Sequence, residues 1–288
     1  MSNPVMERNP YFKAAPGRVN TPPVNRGNVG ETSYDNDYSP YAAPSYQNQA
    51  DAAYAGTAAP FSTAESMSYR DAMNKTAILL ATAIISGVAA VVLFPPAALT
   101  SLAMICSLVA FVVGMVIAFK RIVPRGLAIA YAVLEGVTLG ALTGFLELYI
   151  PGIAIQTILA TTVIVGVTLA LHYSGKVRTT ARGLKFVLIA AIGGIIFSFL
   201  NMLLMMFTNF NIRTDITFLG MPLGVGLGIL MILVAAYMLI ADFEALQVAV
   251  QNGAPREFAW TCAIGIVMTI FWIYLEVLRI IAILADNR

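Results

Sequence analysis

Seven apolar runs, each about as long as one helix across a bilayer, fill the chain from residue 76 to residue 284. A span needs roughly 20 residues to cross about 30 Å of hydrocarbon. Lipid offers no hydrogen-bond partners, so each run must satisfy its own backbone amides as a helix. The runs cover 76–94, closed by Pro95-Pro96; 97–119, closed by Lys120-Arg121; 125–150, closed by Pro151-Gly152; 153–171; 186–207; 216–241; and 258–284. The sequence therefore predicts an all-α integral membrane protein, a seven-transmembrane-helix bundle.

Charge supports the same reading. Only 11% of the 288 residues are charged against 59% hydrophobic, where a soluble chain carries about 25% charged. Seven of the fifteen acids and six of the seventeen Lys and Arg residues lie in the first 75 positions, so the remainder is poorer still. The net charge of +2 comes without a basic face, which argues against a nucleic-acid partner. Cys106 and Cys262 sit inside apolar runs and suggest no disulfide framework. With His172 as the one histidine, no zinc site is expected. No cofactor is expected.

Residues 1–70 read as a disordered, Pro/Tyr/Asn-rich cytoplasmic tail, and 71–288 as the transmembrane domain. Low hydrophobicity with frequent proline cannot build a core. Seven of the twelve tyrosines lie at or before Tyr69. A solubilising spacer is the simplest reading, and a docking segment for other membrane proteins is the alternative.

Basic residues set the orientation. Arg70 and Lys75 precede the first span; Lys120, Arg121 and Arg125 follow the second; Lys176, Arg178, Arg182 and Lys185 follow the fourth; Arg256 precedes the seventh. The loops on the other side hold only Arg213. The N-terminus is expected inside and the C-terminus outside.

Two glycine stripes, Gly136, Gly140, Gly144 and Gly220, Gly224, Gly228, recur every four residues. Such stripes let helices approach closely in membranes, so they are read as packing surfaces. Ionisable groups within the runs point more directly to function, because a charge at mid-span costs about 2.5–3.5 kcal/mol and usually faces a cavity or a partner. Glu135 lies beside the first stripe. Asp242 closes the sixth run, and Glu276 lies in the seventh with Arg279 three residues on, close enough to neutralise it. Glu147 and His172 are expected at the interface, and Glu244 in solvent.

These residues carry a family likeness. Glu135-Gly136-Val137-Thr138-Leu139-Gly140, Ile240-Ala241-Asp242-Phe243 and Ile273-Tyr274-Leu275-Glu276 occur in the order found in the Bax inhibitor-1 family, which the chain resembles over about 67–284. Glu135 stands where many members have an uncharged residue, Ala241 replaces a tyrosine, and Glu276 replaces an aspartate. The resemblance, to bacterial-type members, implies a plasma-membrane, pH-sensitive calcium leak with an acid pair between the last two spans. Matched by motif, Asp242 and Glu276 are those acids, and Lys120 or Arg121 takes the place of a basic latch. The acids lie 34 residues apart, farther than the family pattern. A simple hairpin then puts Glu276 well outward of Asp242. A longer hairpin, Glu135 as the partner, or no pair at all would each fit.

The leading expectation is a calcium or other cation leak. Asp242, Glu135 and Glu276 would be the ion- or proton-responsive groups, Lys120, Arg121 or Arg279 the latch, and Asp242 a weak calcium ligand. The alternative is a non-conducting regulator that binds a membrane protease or stress factor through its tail or bundle surface. An enzyme is not expected. The chain has no Gly-x-Ser-x-Gly nucleophile, no Gly-x-Gly-Asp motif, no lysine in the seventh run for a retinal Schiff base, and no phosphate-binding loop.

Overall fold

The computed structural model describes residues 66–286 apart from Lys176, Asn209 and Leu219. The expected disorder of the tail up to Glu65 lies outside the described residues.

Seven helices are long and apolar enough to cross a membrane. They are α1 (Tyr69–Leu93), α2 (Pro96–Phe119), α3 (Arg125–Glu147), α4 (Ile153–Tyr173), α5 (Ala181–Thr208), α7 (Leu223–Gln251) and α8 (Ala259–Asp286). A four-residue helix α6 (Ile212–Asp215) and a two-stranded hairpin, β1 (Thr217–Phe218) and β2 (Met221–Pro222), connect α5 to α7. Local chemistry sets the ends. The Ser68 side chain accepts from Asp71 N–H and caps α1, supplying one of the bonds that a helix start lacks. Pro96 opens α2 and Pro124 precedes α3, positions where a missing N–H does no harm. Glu147, expected only at the interface, instead caps α4: its two oxygens accept from Gly152 N–H (2.6 Å) and Ala154 N–H (2.9 Å).

The helices extend beyond the apolar runs because polar turns continue them into the interfaces. The sixth span shifts most. The run from Ile216 predicts a helix there, but Ile216–Pro222 forms the hairpin and α7 continues to Gln251. Gly220 is therefore not a packing residue of the span. It occupies the hairpin turn with φ +79°, a conformation that glycine adopts without a steric penalty.

The last helix, α8, is at the centre. Half of its apolar window is buried, the largest share of any span, and it packs against α7, α1, α4 and α3. Leu239, Phe243, Leu246, Phe258, Cys262, Ile266 and Ile273 form the main core. A second core joins α8 to α1–α3 through Leu79, Ile117, Val123, Ile264 and Val267. On α3, Gly136 and Gly140 meet Ala83, Ser86 and Gly87 of α1 so closely that an added Cβ would overlap them. At the end that carries the basic loops, here called the basic face, Lys75 donates to Asp71 Oδ2 (2.9 Å) and to Arg256 O (3.0 Å). This ties α1 to the start of α8.

Candidate functional site: a cavity with two buried acids

Away from the glycine seam the packing opens. Between α2, α5, α7 and α8 lies a cavity of about 890 Å³. Its walls are mostly apolar or glycine. The polar groups on them are Asp242 on α7, Thr269, Glu276 and Arg279 on α8, Ser198 on α5, Arg213 on α6, and the Tyr131 side chain on α3.

Asp242 does not close its helix. It lies nine residues before Gln251, about 14 Å inside α7 at 1.5 Å per residue, and is 4% exposed. Leu239, Ile240 and Phe243 around it are buried, so burial of the carboxylate follows from the apolar sequence that surrounds it. A buried carboxylate needs hydrogen bonds. Thr269 on the facing turn of α8 donates its hydroxyl to Asp242 Oδ2 at 2.6 Å.

Glu276 is equally buried, at 4%, but has a different environment. Both its oxygens accept from Arg279 Nη1 (3.0 and 2.9 Å), and Trp272 Nε1–H reaches Oε1 at 3.3 Å. On α7 it faces Gly228, where an added Cβ would lie 4.0 Å from Glu276 Oε2. From Thr269 to Glu276 is seven residues, about 10 Å along α8. The two acids thus share one cavity and stand at different depths, each with its own partner. This geometry follows from the long spacing in the sequence, and of the alternatives left open there it corresponds to no direct pair between Asp242 and Glu276 among the described residues.

The other candidates lie elsewhere. Glu135 is half-buried on α3 and does not line the cavity, although Tyr131, one turn before it, does. Lys120 and Arg121 are exposed in the connection after α2, at the basic face, and neither lines the cavity. The reason is depth: Asp242 is about 14 Å inside its helix, whereas these side chains start at a helix end. Arg279, the third residue considered as a latch, holds Glu276 directly. Gly224 and Gly228 do line contact surfaces, against Arg213, Ile283 and Ile280, while Gly144 meets Val91.

Sequence reasoning missed several partners. Thr269 is one of many span threonines, and nothing local marks it. Glu244, expected in solvent, accepts from Thr179 N–H (3.0 Å) and from the Thr179 hydroxyl, tying the α4–α5 connection to α7. His172, in the last turn of α4, is buried against the bundle; Gln247 Nε2–H donates to its Nε2 at 3.0 Å, and its ring lies against Phe243. Both contacts join residues more than 60 positions apart. Asn201 inside α5 was a readable signal, because an amide in a span needs a partner. That partner is α6: Asn201 accepts from Ile212 N–H (2.8 Å) and donates to Asn211 Oδ1 (3.1 Å).

Among the described residues no three His, Cys, Asp or Glu side chains gather, so no enclosed protein cage for a metal ion is present there.

These features define the class: a multi-span helical membrane protein with two carboxylates buried beside one cavity. The chain belongs to the Bax inhibitor 1 like family, whose model matches residues 3–286. The match takes in the tail, which the motif resemblance left out. No curated protein matches the chain, and neither does any solved structure.

Proposed function

We propose that the protein is a passive, pH-sensitive cation leak, with calcium the ion that family membership favours. The observation that carries this reading is Asp242, a carboxylate 4% exposed yet set on the wall of an 890 Å³ cavity in a membrane-spanning bundle. Intramembrane carboxylates of this kind mark ion or proton pathways.

Calcium takes six to eight oxygen ligands. One carboxylate, the Thr269 hydroxyl, helix carbonyls and water would make a weak, incomplete site. Weak binding suits conduction, because an ion must leave as readily as it enters. The separate depths of Asp242 and Glu276 give the path two steps. In this reading Glu276 is masked by Arg279, and Asp242 sets the ion affinity. The basic loops at the start of α1 and after α2 and α4 support a cytoplasmic N-terminus and an outside C-terminus. Resemblance to bacterial-type members supports the plasma membrane.

The test is calcium flux into liposomes holding the purified protein, scanned from acid to neutral pH. Asp242→Asn should reduce the leak to that of empty liposomes and abolish its pH dependence. Unchanged flux and pH profile in this variant would refute the carboxylate mechanism. No flux from the wild type would favour a non-conducting regulator of other membrane proteins.

A further inference from the structure

The far end of the same cavity has a different character. After α5 the chain folds back, and Asn201 holds α6 seven residues short of the helix end at Thr208, about 10 Å inside it. Gly224 allows this approach, since a Cβ there would lie 3.0 Å from Arg213 Cβ and from its carbonyl oxygen. Arg213 is thereby held against the cavity. Its Nη2 donates to Ser198 Oγ at 2.6 Å, and its guanidinium lies 5.5 Å from the Phe197 ring.

Arg213, Arg279 and Glu276 are the charged groups that line the cavity at this end, while Asp215 on α6 is exposed and accepts from Asn211 N–H and the Thr214 hydroxyl. Glu276 is engaged by Arg279, and Arg213 has no ion pair among the described residues. A guanidinium has five N–H donors, and Arg213 uses one on Ser198. The Arg213 guanidinium therefore keeps donors that Ser198 does not use and that can take an anion in the cavity.

The cavity indicates what kind of anion. At 890 Å³ it is near the top of the roughly 300–1,000 Å³ range of small-molecule sites. Its walls around Ala190, Gly194, Leu227 and Met231 are apolar. It is also open sideways: Phe111 and Met115 on α2 and Ile195 on α5 line it and are 64%, 47% and 47% exposed. A free inorganic anion would balance Arg213 and leave these walls uncovered. An amphiphile entering from the bilayer would do both.

We propose that this end of the cavity binds one anionic phospholipid, its phosphate on Arg213 and an acyl chain along the apolar wall between α2 and α5. The headgroup site is separate from Asp242, so the proposal does not depend on conduction. Arg279 lends a second positive charge while holding Glu276, and Ser198 orients the Arg213 fork.

The test is native mass spectrometry of the full chain in detergent, with phosphatidylglycerol or phosphatidylcholine of identical acyl chains at equal concentration. The wild type should retain phosphatidylglycerol about tenfold over phosphatidylcholine, a ratio worth about 1.4 kcal/mol. Arg213→Gln should bring the two lipids close to parity, and Arg213→Lys should keep part of the preference, because it keeps the charge and loses the fork. Equal retention of both lipids by the wild type would overturn the proposal whether or not the variants fold. So would an undiminished preference in a folded Arg213→Gln protein, its melting checked by circular dichroism. Displacement of phosphatidylglycerol by millimolar inorganic phosphate would also overturn it, because the site would then take a free anion.

Discussion

The two halves of the bundle use small residues in opposite ways. In the seam of α1 with α3, Gly87, Gly136 and Gly140 bring two backbones into contact, and an added Cβ would overlap the facing chain. On α5, Gly183 and Gly194 meet only side chains, those of Tyr237 and Met231 nearest, and Gly193 closes nothing. An added Cβ at Gly193 would meet nothing within 4 Å, and Gly193 lines the cavity. Without a hydrophobic drive between helices in lipid, close packing needs backbone contact. Where glycine faces another glycine the membrane protein has a rigid wall; where it faces no neighbour it has space. The buried acids follow this division. Asp242 and Glu276 face the open half, whereas the seam meets the central helix through apolar side chains and a neutral hydrogen bond between the Thr143 and Tyr274 hydroxyls at 2.8 Å.

The comparison can be broken or sharpened by substitution, and the seam should respond most. Gly140→Val should destabilise the bundle by about 3 kcal/mol, the upper end of the overpacking range, because the facing atoms are Gly87 backbone and cannot move aside. Denaturant titration in detergent measures this, and a loss below about 1 kcal/mol would mean the seam is looser than described. In the open half, Arg279→Gln strands the Glu276 carboxylate. A fully buried pair broken in this way costs about 3–5 kcal/mol. Arg279 is 36% exposed, so solvent screening reduces the expected loss to about 1–3 kcal/mol. The double variant Glu276→Gln/Arg279→Gln should recover most of it. Additive losses in that cycle would show that the two side chains do not interact. The smallest effect is expected at Thr161 on α4, whose buried hydroxyl has no partner. Thr161→Val removes that orphan at nearly constant shape, so stability should stay within about 0.5 kcal/mol or rise. A clear loss would reveal a hydrogen bond at this position.

Much of this architecture was legible in the sequence, and the part that was not has a physical reason. Apolar length and proline placement fix seven spans because lipid demands complete helices. Gly136 and Gly140 announce the seam, since spacing by four places them on one helix face. Asp242 and Glu276 stand out because charge is rare in spans, and their 34-residue separation already implies different depths. Depth itself was harder to read. The residues after Asp242 read as helix-compatible through Gln251, where α7 does end, but that leaves Asp242 either near the inner interface or deeper; burial of Phe243, Leu246 and Ala249 against α8 and its neighbours places it inside. Thr269, Arg213 and Ser198 were invisible as site residues. Each gains its role from a partner on another helix, and α6 reaches Ser198 only because the chain folds back on Asn201. Lys120 and Arg121 do not line the cavity for a related reason: motif order gives sequence neighbours, not depth along the helices.

In the proposed function, ions pass through the open half. Gly193→Phe tests it most directly, since the ring would grow into cavity space where no atom lies within 4 Å of the added Cβ, leaving both acids in place. This variant should melt at the wild-type temperature and leak calcium into liposomes no faster than empty vesicles do. A folded Gly193→Phe protein with the full wild-type leak would contradict it, because the ions would then be taking a route outside the cavity.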